Sequence, residues 1–86
     1  MEIITFHTAV EIFTASGNTE SNFNTADFIN AGTSNVSINS IPITPGNSWS
    51  SVGNNGEIDK TNQYRIVFSG TGTNKLVIAK KIYNGI

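Results

Sequence analysis

The sequence contains no cysteine. That excludes a disulfide staple, a thiolate nucleophile and any Cys-based metal site. Histidine occurs once, as His7, so a His-rich metal centre is excluded by count. Leucine also occurs once, and Met, Gln, Arg, Lys and Glu are scarce, so the strong helix formers are missing. Charge is thin, at 13% of residues with a formal net charge of −1, against roughly 25% in an ordinary domain. Such a balance supplies no field to steer the chain onto nucleic acid or an anionic membrane. Long apolar runs are absent too, so no segment reads as a membrane span. The start, Met1-Glu2-Ile3-Ile4-Thr5-Phe6-His7, has neither a basic region nor the apolar stretch of a secretory signal. The expectation is a product that stays in the compartment where it is made. In that setting the sequon Asn35-Val36-Ser37 is a chance match.

What is present is β-branched and neutral. Ile (12), Val (5) and Thr (10) dominate the strand formers, while Asn (12), Ser (9) and Gly (8) supply turns and an amide-and-hydroxyl surface. Eighty-six residues make one domain of about 60–65% burial. We therefore read residues 1–86 as a single antiparallel β-sandwich of about 7–8 strands, immunoglobulin-like or jelly-roll-like.

The first segment is the longest regular one. Ile4, Phe6, Thr8, Val10, Ile12 and Thr14 fall on one side, and Ile3, Thr5, His7, Ala9, Glu11 and Phe13 on the other, at the period of two. Unbroken over 2–14 it would reach about 43 Å at roughly 3.3 Å per residue. Such a strand either bends or serves as an arm to a neighbour. Residues 15–22 read as loop. A strand at 26–31 turns Ala26 and Phe28 inward, and Val36 and Ile38 mark another that continues extended through Ile41-Pro42-Ile43, with Pro42 suited to an edge. Pro45-Gly46 and Asn54-Asn55-Gly56 are turns, and 47–58 is the least regular stretch. Tyr64, Ile66 and Phe68, then Leu76, Ile78, Lys80 and Ile82, read as a hairpin about the Gly70–Asn74 loop.

Candidate chemistry is sparse. A Ser-His-Asp arrangement would have to be built on His7, yet His7 sits mid-strand and no Gly-x-Ser-x-Gly elbow occurs. Glu57 and Asp59 could share a face, but Asp59-Lys60-Thr61-Asn62 reads as a turn in which the carboxylate accepts a local backbone bond. Lys75, Lys80 and Lys81 read as a solvated, pairing-resistant strand edge. No Gly-Lys-Ser/Thr phosphate cradle is present. Trp49, among Asn47, Ser48, Ser50 and Ser51, serves either the core, a subunit contact or the stacking of a neutral glycan. The expectation is thus a protein without catalytic residues, cofactor or metal, whose candidate interaction residues are Trp49, Phe6, Val10 and Ile12. A nearly uncharged surface favours association. Residues 2–14 are accordingly expected to join copies of the chain into a dimer or trimer by strand addition.

Four stretches carry a resemblance. Asn30-Ala31-Gly32-Thr33-Ser34-Asn35-Val36-Ser37-Ile38-Asn39 with Ile41-Pro42-Ile43-Thr44-Pro45-Gly46-Asn47-Ser48 resembles a run found in compact immunoglobulin-like and jelly-roll modules. Together with Asn55-Gly56-Glu57-Ile58-Asp59 and Tyr64-Arg65-Ile66-Val67-Phe68 it is similar to small β-sandwich virion proteins of tailed bacteriophages, of the head decoration or fibre and tail accessory type. The resemblance spans about residues 28–83 and leaves out the N-terminal strand. It implies a virion structural subunit made in the host cytoplasm, partnered by itself and by larger virion proteins such as the major capsid protein.

Overall fold

A computed structural model describes residues 3–84. They form eight strands: β1 Phe6–Phe13, β2 Gly17–Glu20, β3 Thr25–Asn30, β4 Asn35–Ile38, β5 Ile41–Ile43, β6 Ser48–Ser51, β7 Gln63–Ser69 and β8 Leu76–Tyr83. Four antiparallel pairings nest: β1 with β8, β2 with β7, β3 with β6 and β4 with β5. The chain is therefore one long ribbon doubled back at the β4–β5 turn. Rolling the ribbon brings β3 against β8 and β4 against β7. Two four-stranded sheets result, ordered β1-β8-β3-β6 and β2-β7-β4-β5. Eight strands wound this way make a jelly roll, and the immunoglobulin alternative, with its different strand order, falls away.

Each face follows from alternation. Ala26 and Phe28 on β3, Val36 and Ile38 on β4, Tyr64 and Ile66 on β7, and Leu76 and Ile78 on β8 are all buried. With Phe23 and Ile43 they form the core between the sheets. Phe23, Phe28 and Tyr64 pack as an aromatic cluster, with ring centroids 5.4–6.5 Å apart. Trp49 on β6 closes one side, 5.5 Å from Phe28 and 6.0 Å from Tyr64. Such pairs add about 0.5–1.5 kcal/mol each beyond the area they bury.

Three sequence expectations are corrected. Residues 15–22 are not all loop, because β2 lies within them. Only Thr19 of β2 is buried, and its hydroxyl rather than a hydrocarbon faces inward. The stretch 47–58 is irregular as read, apart from the four residues of β6. Val36 to Ile43 is not continuous, since Asn39 and Ser40 adopt φ of +47° and +70° and reverse the chain into a two-residue hairpin. Most consequentially, β7 and β8 do not pair. Their inward rows face each other across the core from opposite sheets, so the 70–75 connection is an arch between layers. That arch is docked onto the 31–34 loop by backbone bonds from Ala31 N–H to Lys75 C=O and from Thr33 N–H to Thr73 C=O. A Cβ on Gly32 would lie 2.2 Å from the Thr73 carbonyl oxygen, which is why glycine stands there.

The turns read from sequence are in place. Thr44-Pro45-Gly46-Asn47 closes with Asn47 N–H donating to Thr44 C=O at 3.1 Å, and Gly46 sits at φ +82°. Pro42 lies on β5, the last strand of its sheet, where its missing donor costs nothing.

Candidate functional site

Strand β1 ends its sheet, with β8 on one flank and an open edge on the other. Asn84 N–H donates to Thr5 C=O at 2.9 Å, in step with the β1–β8 register. In an antiparallel ladder the two backbone polar groups of a residue point the same way and alternate along the strand. The odd-numbered residues of β1 therefore bond to β8. Those of Phe6, Thr8, Val10 and Ile12 aim out of the edge.

The side chains of the same even set stand on the outer face of the sheet. Phe6, Val10 and Ile12 are 54%, 62% and 60% exposed. Cross-strand register aligns Ile12 with Val77 and then Ile29, while Val10 aligns with Ala79 and then Asp27. Ile29 is itself exposed and Val77 half-buried, so the apolar surface runs from β1 across β8 to β3. At the far end the Lys81 ammonium sits 4.7 Å from the centre of the Phe6 ring. Ile3 and Ile4, just ahead of β1, are also exposed. An open, unbulged edge flanked by large apolar side chains is what proteins ordinarily cover or blunt.

The inner face of β1 is anchored by charge. Lys80 is only 3% exposed, and its Nζ lies 2.9 Å from Glu11 Oε1 and donates to the Glu20 carbonyl at 2.9 Å. It also stands 5.8 Å from the Phe23 ring centre. The Thr19 hydroxyl donates to the same Glu11 oxygen at 2.5 Å. Burial pushes the Glu11 pKa up, but the Thr19 bond and the Lys80 bond and charge outweigh it, so the pKa lies below the ordinary 4.5. The solvated edge expected for Lys80 is thus corrected. Its ammonium ties sheet to sheet, because Lys80 belongs to the inward row of Leu76 and Ile78.

His7 is exposed on β1, with Nδ1 2.6 Å from Asn84 Oδ1. Asp59 does hold its own turn, with Oδ1 accepting from Thr61 N–H at 2.8 Å. Its Oδ2 accepts from the Tyr64 hydroxyl at 2.5 Å and from Ser51 at 2.9 Å. Partial burial raises its pKa and these donors, Tyr64 foremost, lower it further, to a net value below 3.8. Glu57 instead caps its own turn by accepting from Asn54 N–H. Trp49 is half-buried against Phe28 and Tyr64. Beside Asp59 runs an open depression of about 390 Å³, lined by Glu20, Ser21, Ile58, Lys60 and Gln63 among others. Among the described residues no group of three His, Asp or Glu side chains is arranged to hold a metal, and no helix is long and apolar enough to cross a membrane.

The structure brings Phe6, Val10 and Ile12 together on one face and leaves Trp49 apart, on the opposite edge strand of that sheet. The sequence signals the Glu11–Lys80 pair only through parity, since Lys80 falls in step with the inward Leu76 and Ile78. Among the described residues these features define a jelly-roll β-sandwich whose edge strand β1 is long, unbulged and flanked by exposed apolar side chains. No family model, curated protein or solved structure matches the chain.

Proposed function

We propose that the protein is a non-enzymatic structural subunit of a tailed-bacteriophage virion, in the first place a capsid decoration or head accessory protein and in the second a fibre or tail module. The observation that carries the reading is the uncovered edge of β1 with Phe6, Val10 and Ile12 exposed beside it. Such a surface suits a subunit that spends its life bound, and the low charge of the chain fits the same habit. The virion setting rests on the sequence resemblance, and on fold analogy with the jelly rolls of viral capsids. In this role the chain associates with itself and with larger virion proteins such as the major capsid protein. It adds stability by covering surface between them, through contacts of about 1,200–2,000 Å² repeated at high copy number.

Quantitative mass spectrometry of purified particles from the phage that encodes the chain tests this. The expected result is a copy number in fixed ratio to the major capsid protein, with particles lacking the chain losing integrity at lower temperature. Its absence from purified particles would overturn the virion assignment.

A further inference from the structure

We infer that the partner of the β1 edge is a second copy of β1, paired antiparallel about a two-fold axis through Ala9. The inference rests on the reading of β1 as an assembly surface and adds to it an occupant and a register.

The backbone limits the choices. Outward-pointing groups belong to Phe6, Thr8, Val10 and Ile12, so even residues must meet even residues across the axis. Three central registers satisfy this, centred on Thr8, Ala9 or Val10. Charge separates them. A carboxylate in the middle of an edge strand ordinarily obstructs sideways pairing. Glu11 has its Oε1 engaged by Lys80 and Thr19, and its side chain is 42% exposed. Only the Ala9-centred register sets His7 of the other copy directly opposite Glu11, and the two-fold repeats the pair. Centring on Thr8 opposes Glu11 to Thr5, and centring on Val10 opposes it to Ala9.

The same register matches the outer face. Phe6 meets Ile12 and Thr8 meets Val10, each twice. The apolar row of Ile12, Val77 and Ile29 is thereby extended into the Phe6 of the neighbour. At the axis Ala9 faces Ala9, and this small residue admits close approach at a non-hydrogen-bonded pair, where Cα atoms are about 4.5 Å apart. The product is a continuous eight-stranded sheet across the dimer, since each copy brings four strands.

The natural absence of cysteine makes the test clean. Ala9→Cys, Thr8→Cys and Val10→Cys are prepared separately in the full chain and exposed to oxidised glutathione at tens of micromolar. The expected result is rapid disulfide dimerisation of Ala9→Cys alone, because its two copies face each other within bonding range. Residues 8 and 8, or 10 and 10, lie diagonally about 7–8 Å apart, beyond bonding range. In parallel, His7→Glu sets like charges opposite twice and weakens the dimer about tenfold, with circular dichroism unchanged. Preferential cross-linking of Thr8→Cys or Val10→Cys would overturn the register while leaving edge association standing. A wild-type chain that sediments as a monomer at the same concentration would overturn self-pairing. The chain could then still be found on particles, its edge taken by another protein.

Discussion

Lys80 Nζ and Glu11 Oε1 lie 2.9 Å apart on adjacent strands, with the lysine almost fully enclosed and the glutamate partly open to water. The pair fixes the edge strand β1 to β8, and the Glu20 carbonyl and Thr19 hydroxyl connect both residues to β2 in the opposite sheet. Lys80→Ala removes the ammonium from Glu11, the Glu20 carbonyl and the Phe23 ring, and leaves a void beside that ring. Because Glu11 can rehydrate, the cost falls short of a fully buried pair, at about 2–3 kcal/mol. Lys80→Met, which keeps the packing volume, should cost about half as much. Urea denaturation, followed by the fluorescence of Trp49, reads both.

Acid should weaken the fold through two carboxylates. Glu11 and Asp59 both have folded pKa values below their ordinary 4.5 and 3.8. A lowered folded value stabilises above the unfolded pKa, and the gain is lost as pH falls through the folded one. Stability is therefore expected to be level from neutrality down to about pH 5 and to decline below it. Glu11→Gln should be less stable at pH 7 and should show a shallower acid limb. A decline of unchanged slope would contradict the role given to Glu11.

Asn30 is the buried clamp of the loops. Its Nδ2 donates to the Ser34 and Ile43 carbonyls at 2.9 Å each, and its Oδ1 accepts from Gly32 N–H. Asn30→Ala strands two enclosed carbonyls and one amide, for a loss of about 3 kcal/mol. Asn30→Asp should be worse, since a carboxylate would face both carbonyls. Thermal melts followed by circular dichroism rank the two.

Which parts of the fold could be read from sequence follows from what carries inward-facing hydrocarbon. Ala26, Phe28, Val36, Ile38, Tyr64 and Ile66 alternate cleanly, and each is buried as that alternation requires. Strand β2 has Thr19 as its inward residue, so nothing in a hydrophobic pattern marks it. The Asn39-Ser40 turn contains neither glycine nor proline, and its positive φ values are held by bonds such as Arg65 N–H to Asn39 Oδ1. A short loop between two alternating strands suggests a hairpin. Whether the strands pair or face each other across a core is decided by rolling of the whole ribbon, which no local pattern reports. The exposed face of β1 was legible from parity, whereas the fact that its edge stays open depends on strand order.

Trp49 stands against Phe28 and Tyr64 rather than free in solvent. Trp49→Ala is expected to cost about 2–3 kcal/mol, somewhat less than a fully enclosed aromatic. Titration with neutral oligosaccharides should leave its fluorescence unchanged. A saturable change abolished in a folded Trp49 variant would transfer support to glycan binding.

Self-pairing of the chain through the open edge of β1 is read by sedimentation velocity on the full chain. Val10→Pro serves as the probe, because the Val10 amide aims out of the edge and proline there removes no bond to β8. Val10→Lys places a charge on the same outer face by a second route. The expected result is a wild-type dimer at tens of micromolar, and monomers for both variants with unaltered circular dichroism. A monomeric wild type, or a dimer that persists in both folded variants, would contradict it.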